Sequence, residues 1–174
     1  MIRIRAALPG DAGAIGAVHV AGFRNAYPGI LSDHYLQSLS AQRLGAAYAM
    51  AIGAGAIVRV ASQTSGTPGI VGFATAGPAR KPGLADGEIE TLYVLDDFRE
   101  RGLGRQLLSA CATALATGGC TSVFLWVLRD NPSRFFYDHI GGVARRHGST
   151  FVGGVSVAQV AYVWDPIERL IVAD

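Results

Sequence analysis

The residues best suited to chemistry lie between Glu88 and Arg105, where an acidic, alternating stretch leads into a basic turn that contains glycine. Glu88 and Glu90 are two residues apart in a β-prone run, which places both carboxylates on one face of a strand. Either carboxylate could act as a general base. A pair of surface-facing acids on a half-exposed strand is an equally good interpretation of the pattern.

The turn that follows this run has two glycines, Gly102 and Gly104, at the start of an amphipathic helix. Glycines let backbone N–H groups approach a ligand closely, and a helix N-terminus carries a partial positive charge. Three arginines surround the turn, and guanidinium groups favour phosphate over an uncharged ligand; they are Arg99, Arg101 and Arg105. The turn is therefore predicted to bind an anion. An ordinary helix start with solvated arginines is an equally good interpretation of the turn alone.

Other phosphate-binding and metal-binding motifs are absent from the sequence. The only lysine, Lys81, stands next to Pro82, so the chain contains no P-loop. The glycine turn lacks the third glycine of the dinucleotide fingerprint, because Leu107 occupies that position. The four histidines share no metal-ligand spacing, and we expect no metal site.

The composition indicates one folded domain spanning residues 1–174, since 50% of the residues are hydrophobic and the length is typical of one core. A net charge of +2 is too even to indicate a nucleic-acid or membrane partner. The longest uncharged apolar run, between Arg43 and Arg59, is too short and too rich in Gly and Ala to span a bilayer. The two cysteines form no disulfide framework, which favours a reducing cytoplasm.

The hydrophobic patterns predict a mixed α/β chain with a strand–helix–strand unit at its centre. Two helices are expected after a strand at 2–5, the first beginning near Asp11 and the second capped by Ser32. Later helices are predicted over 103–115 and 135–140, and strands over 56–62, 70–76, 88–94, 123–128, 143–151 and 155–164. The strand at 88–94 and the helix after it are expected to position the acidic and basic residues described above.

The turn matches the signature [RQ]-x-x-G-x-[GA], and here the chain resembles the GNAT superfamily of acyl-CoA-dependent N-acetyltransferases. The preceding strand 88–94 and the downstream run 131–142 are similar to that family's pattern in the same order. The resemblance implies a mixed, mostly antiparallel sheet with helices on both faces and a central strand–helix–strand unit that binds acyl-CoA. It implies transfer of an acetyl group from acetyl-CoA to a primary amine of a small molecule or peptide, by direct attack in a ternary complex.

By this resemblance, the turn would bind the CoA pyrophosphate largely through backbone N–H groups. The pantetheine would pair with β-strand residues as an added strand, the Val94 N–H would face the thioester carbonyl, and Asn131 would hold the pantetheine arm. The implied cofactor-binding residues are Leu92, Tyr93, Val94, Arg99, Glu100, Arg101, Gly102, Leu103, Gly104, Arg105 and Asn131.

Three residues are implied as catalytic. Tyr137 would lie by the sulfur and protonate the leaving thiolate, although a core aromatic is the alternative interpretation. Glu88 is the first choice for the base and Glu90 the reserve. The candidate acceptor-binding residues, taken from the first two helices and their link, are Phe23, Tyr27 and Tyr35.

Two other functions would also use this turn. A non-catalytic acyl-CoA sensor would need the turn 99–104 (the anion turn) but neither Tyr137 nor Glu88. A nucleotide-binding regulator would prefer ATP or NAD over CoA. The resemblance leaves a homodimer open, because dimers are frequent in families of this kind.

Overall fold

The computed structural model describes residues 1–173, whose strands form one mixed sheet. The strands are β1 (Ile2–Ala6), β2 (Ile57–Gln63), β3 (Gly69–Pro78), β4 (Gly87–Val94), β5 (Val123–Leu128), β6 (Val143–Val152) and β7 (Val155–Trp164). They lie in the order β1-β2-β3-β4-β5-β7-β6. Among the residues described, β4 and β5 form the one parallel pair, and all other neighbouring strands are antiparallel.

The helices are α1 (Ala12–Ala26), α2 (Asp33–Ser38), α3 (Ala41–Gly53), α4 (Leu103–Thr117) and α5 (Arg134–His139). Serine side chains cap two of them: Ser32 accepts from the Tyr35 N–H and Ser40 from the Arg43 N–H, both at 3.2 Å. No helix within residues 1–173 is long and apolar enough to cross a membrane.

The prediction of two helices after β1 is wrong, because α3 forms a third helix before β2. This helix is rich in Ala and Gly, and its one buried residue within the described chain is Gly45. Its larger side chains Leu44, Tyr48 and Ile52 are half-buried and recur every four residues, a helical spacing. The Ser40 cap, followed by residues of high helix propensity, was a further signal.

Helices cover both faces of the sheet, as neighbouring residues of β3 show. Phe73 packs in one core cluster with Ile15 and Val18 of α1, whereas Ala74 packs in another with Leu107 of α4. Successive strand side chains point to opposite faces, so α1 and α4 lie on opposite sides of β3. The predicted mixed, mostly antiparallel sheet with helices on both faces is confirmed.

Candidate active site

β4 and β5 separate partway along their length, and a cavity of about 430 Å³ lies in the gap between them. Their parallel pairing extends only over Gly87–Ile89 and Val123–Leu125. Beyond it, Glu90–Val94 and Trp126–Leu128 both line the cavity. Ligands bind characteristically at the carboxyl ends of parallel strands, and the separation provides such a place.

A β-bulge in β4 lies where this gap opens. Thr75 of β3 pairs with Thr91, whereas the next residue, Ala76, pairs with Ile89. Glu90 is therefore the extra residue, and such bulges change the direction of the groups that follow them.

The bulge determines which backbone groups face the gap. The Gly87 N–H donates to a carbonyl just before β5 at 3.0 Å, while the Leu95 N–H donates to Val71 of β3 at 2.9 Å. Alternate residues of a strand direct their N–H groups to opposite edges. The N–H groups of Leu92 and Val94 consequently point into the gap, where an extended ligand could accept them.

The turn 99–104 leads from this gap into α4. Glu100 and Gly102 have left-handed φ angles of 60° and 74°, which glycine adopts freely and glutamate only with strain. No side chain caps α4 at Gly102, and the first helical N–H to bond back to this residue is that of Gln106, at 3.1 Å. The earlier N–H groups of the helix have no intrahelical partner and can bind an anion.

The arginines of this turn have different environments. Arg99 lines the cavity and forms an ion pair with Asp96 at 2.9 Å, and the exposed Arg105 also lines the cavity. Arg101 donates to the Asp97 carbonyl at 2.9 Å and packs over the Phe98 ring at 5.2 Å. Two of the three predicted arginines are therefore positioned to contact a ligand in the cavity.

Asn131 and Tyr137 line the same cavity from the segment after β5. The buried Asn131 accepts from the Ser133 N–H at 2.9 Å and reaches the Tyr27 hydroxyl at 3.5 Å. Burial raises the pKa of Tyr137 well above its usual value, so its hydroxyl stays protonated near neutral pH and can donate a proton.

The two candidate bases have different surroundings. Glu88 is 3% exposed and accepts three hydrogen bonds from Arg80, at 2.6 to 3.2 Å. It does not line the cavity described above, whereas the exposed Glu90 does. Glu90 forms no ion pair with any residue of the described chain.

Aromatic side chains line the same cavity as Glu90. The Phe23 ring lies 4.8 Å from Tyr27 and 5.5 Å from Tyr93, measured between ring centroids. Phe23 and Tyr27, two of the residues predicted to bind the acceptor, both line the cavity. Tyr35 does not line it; its ring packs against Gly153 in the turn between β6 and β7, where an added Cβ would lie 2.7 Å from the ring.

The chain is similar to known proteins over nearly its full length. A family model described as FR47-like protein matches residues 73–151, which include β4, α4 and β5. The uncharacterized N-acetyltransferase YuaI of Bacillus subtilis is 31% identical over 171 residues, covering 98% of this chain and 96% of that relative. The chain belongs to the GNAT superfamily of N-acetyltransferases. It is therefore an acyltransferase.

Solved structures of GNAT-type proteins have the same fold. The PaiA N-acetyltransferase of Thermoplasma acidophilum, in complex with coenzyme A, has a TM-score of 0.73 at 20% identity, covering 95% of this chain and 99% of that one. A GCN5-related N-acetyltransferase of Rhodopseudomonas palustris has a TM-score of 0.70 at 24% identity, covering 94% of both chains. The fold expected from the GNAT resemblance is confirmed.

The GNAT cavity brings together most of the predicted residues and several that the sequence did not indicate. The predicted residues that do not line it are Glu88, Arg101 and Tyr35. The lining residues not predicted include Phe98, Trp126, Leu128, Phe136 and Gln159. The carboxyl end of β5, next to the predicted central strand, was the signal for Trp126 and Leu128. No three His, Cys, Asp or Glu side chains in residues 1–173 lie close enough to hold a metal ion.

Proposed function

We propose that the protein transfers an acetyl group from acetyl-CoA to the primary amine of a small molecule or peptide, by direct attack in a ternary complex. The observation that carries this proposal is the continuity of one cavity from the turn 99–104 to Glu90. Its lining joins an anion-binding helix start, an open strand edge, a free carboxylate and a protonated tyrosine. Residues 1–174 would act as one domain, and a cytoplasmic location and a homodimer stay predictions.

Different residues of the cavity fit the pyrophosphate, the pantetheine and the thioester of acetyl-CoA. The free N–H groups at the start of α4, with Arg99 and Arg105, suit a pyrophosphate. Val94 and Leu92 present N–H groups to the gap, where they can pair with the amides of pantetheine or stabilise the thioester oxygen as charge develops on it. Asn131, already fixed by its bond to the Ser133 N–H, has a side-chain amide available for the pantetheine arm.

The chemistry then needs proton transfer by two residues. The neutral amine nitrogen bonds to the thioester carbonyl carbon, and the bond from that carbon to sulfur breaks. Glu90, directly or through water, receives one proton from the ammonium form of the acceptor before the attack. Tyr137 gives its proton to the departing thiolate and recovers the proton that the attacking nitrogen loses. The products are an N-acetylated amine and free CoA, with atoms and charge in balance.

The test follows free thiol released from acetyl-CoA with a panel of small primary amines and short peptides. Tyr137→Phe should lower kcat by about 10²- to 10⁴-fold, the usual range for a general acid, with little change in the acetyl-CoA Kd measured by calorimetry. Tyr162→Phe is the matched control, because Tyr162 packs 5.8 Å from Tyr137 and donates to Asp138 without lining the cavity.

Full activity of Tyr137→Phe would remove this tyrosine from the mechanism. Tight acetyl-CoA binding by the wild type without turnover of any amine in the panel would instead favour the non-catalytic sensor.

A further inference from the structure

The cavity has an acceptor end whose chemistry narrows the choice of amine. We define this acceptor end by its lining residues, Phe23, Tyr27, Leu31, Glu90, Trp126 and Gln159. Phe23 belongs to α1, and Tyr27 and Leu31 to the link after it. Glu90 and Trp126 are the first residues of β4 and β5 beyond the paired segment, and Gln159 belongs to β7. Four of the six are large and apolar or aromatic, one is a neutral amide and one is an acid.

The one charged residue of the acceptor end is an acid, Glu90. Glu90 is exposed there and unpaired within the part of the chain that the structure describes. The arginines that line the cavity, Arg99 and Arg105, lie in the anion turn and directly after it. Arg80 has its guanidinium engaged by Glu88 at 2.6 and 3.1 Å. Among the residues that line the acceptor end, an acceptor therefore meets one carboxylate and no cation.

The aromatic walls favour an apolar or cationic group over an anionic one. Ring faces attract an ammonium ion, and burial of an alkyl or aromatic tail against them is favourable. A carboxylate in the same place would lose hydration without gaining a partner, and Glu90 would repel it. The acceptor end therefore distinguishes acceptor molecules by their charge as well as by their shape.

The size of the cavity favours a small acceptor. Its volume of about 430 Å³ is shared with the end of the pantetheine, and small-molecule sites occupy about 300–1,000 Å³. The turn between β6 and β7 also packs on α2, since Val152 and Val157 contact the cluster of Tyr27, Leu31 and Leu36. Val152 also lines the cavity, so this contact forms part of its wall.

Building on the proposed acetyltransferase function, we infer that the acceptor is a small primary amine with an aromatic or alkyl tail and no carboxylate. Glu90 attracts the ammonium form and then receives its proton, while Phe23 and Trp126 contact the tail. Amino acids are poor acceptors because no cation lines the acceptor end to bind a carboxylate. Peptide N-termini are poor acceptors because a cavity of about 430 Å³, shared with the pantetheine, favours a smaller molecule.

The experiment compares 2-phenylethylamine, L-phenylalaninamide and L-phenylalanine as acceptors at saturating acetyl-CoA. Rates are expressed per concentration of neutral amine, so that the different amine pKa values do not decide the ranking. We expect kcat/KM for phenylalanine to be about 10- to 100-fold below that for 2-phenylethylamine. The amide should lie near the amine, because it adds bulk at the same carbon without a charge.

A pair of variants tests the charge argument separately. Gln159→Arg adds a cation to the acceptor end and should raise kcat/KM for phenylalanine relative to 2-phenylethylamine by about 10-fold. Gln159→Met has similar size and no charge, and should shift this ratio far less. Acetyl-CoA binding by calorimetry confirms that both variants are folded.

Equal or faster turnover of phenylalanine or of a peptide beginning with phenylalanine would overturn this inference and leave the acetyltransferase function standing. The absence of turnover with every amine, despite acetyl-CoA binding, would overturn the proposed function and this inference with it.

Discussion

Glu88 and Glu90 lie two residues apart on β4 but have different access to a substrate. Glu88 is buried and accepts hydrogen bonds from the Arg80 backbone and guanidinium. Glu90 is the extra residue of the bulge and lines the cavity. A base must reach the proton that it takes, directly or through one water. This geometry favours Glu90 as the base, and the choice of Glu88 from the sequence stays a prediction.

Replacing each acid separately distinguishes the two. Glu90→Gln should lower kcat/KM near neutral pH by about 10²-fold or more, because the amine loses its proton acceptor. The loss should shrink at high pH, where more of the amine is already neutral. Glu88→Gln should lower Tm, since the buried carboxylate loses its charge-assisted hydrogen bonds with Arg80, and should reduce activity less. The measurement is a pH profile of kcat/KM with one acceptor for the wild type and both variants. A larger loss of activity in Glu88→Gln would identify Glu88 as the base.

At the scale of elements, α1 carries Phe23 and Tyr27 to the cavity while α3 packs closely behind it. The contact depends on two glycines that face each other. A Cβ added to Gly16 would lie 2.4 Å from the Ala41 carbonyl oxygen and 2.7 Å from the Gly45 nitrogen, both of which are backbone atoms. Neither atom can move without separating the helices, so the position of α1 requires glycine here.

Gly16→Ala should therefore lower the free energy of unfolding by about 1–3 kcal/mol, the usual effect of overpacking. Gly13→Ala lies on the same helix with nothing within 4 Å of the added Cβ, and should raise the free energy of unfolding by up to about 1 kcal/mol through helix propensity. Urea unfolding of both variants measures the difference. Equal effects of the two substitutions would show that the α1–α3 contact does not limit the helix spacing.

The elements differ in how far the sequence could predict them. The strands and α4 have strong apolar periodicity, so their existence and type follow from the pattern. α3 was missed although Leu44, Tyr48 and Ile52 recur at helical spacing, because this short row lies among many Ala and Gly residues. The bulge at Glu90 has no signal in the alternation of 88–94, because it depends on how β3 pairs with β4.

At the scale of the molecule, the anion turn was predictable and the acceptor end was largely not. The turn is a contiguous sequence whose glycines and arginines act locally. The acceptor end joins residues distant in sequence, because Trp126 and Gln159 line the same cavity as Phe23 only once the strand order is formed. Its Tyr27 hydroxyl also meets the amide of Asn131, 104 positions away. Such a site follows from the order of the sheet rather than from spacing along the chain.

His19 of α1 contacts both α3 and β4, and its titration makes the stability of the protein depend on pH. Its Nδ1 lies 2.8 Å from the Tyr48 hydroxyl of α3, and its ring stacks on Phe23 at 4.8 Å and on Tyr93 of β4 at 5.2 Å. Burial among these groups lowers the pKa of His19 from 6.5 to about 4. The ring is therefore neutral at physiological pH, and protonation would place a charge in a largely desolvated site.

Since the pKa of His19 is lower in the folded than in the unfolded state, the unfolded chain binds more protons between about pH 6.5 and pH 4. The free energy of unfolding must then fall as the pH falls through this window. His19→Gln removes the titrating group and keeps a hydrogen-bonding partner for Tyr48, so the fall between about pH 6.5 and pH 4.5 should be shallower. The lowered pKa of Asp11, from 3.8, makes its contribution below this window. Urea unfolding at a series of pH values measures the slope for both proteins. Equal slopes would show that protonation of His19 does not limit the stability of the fold in mild acid.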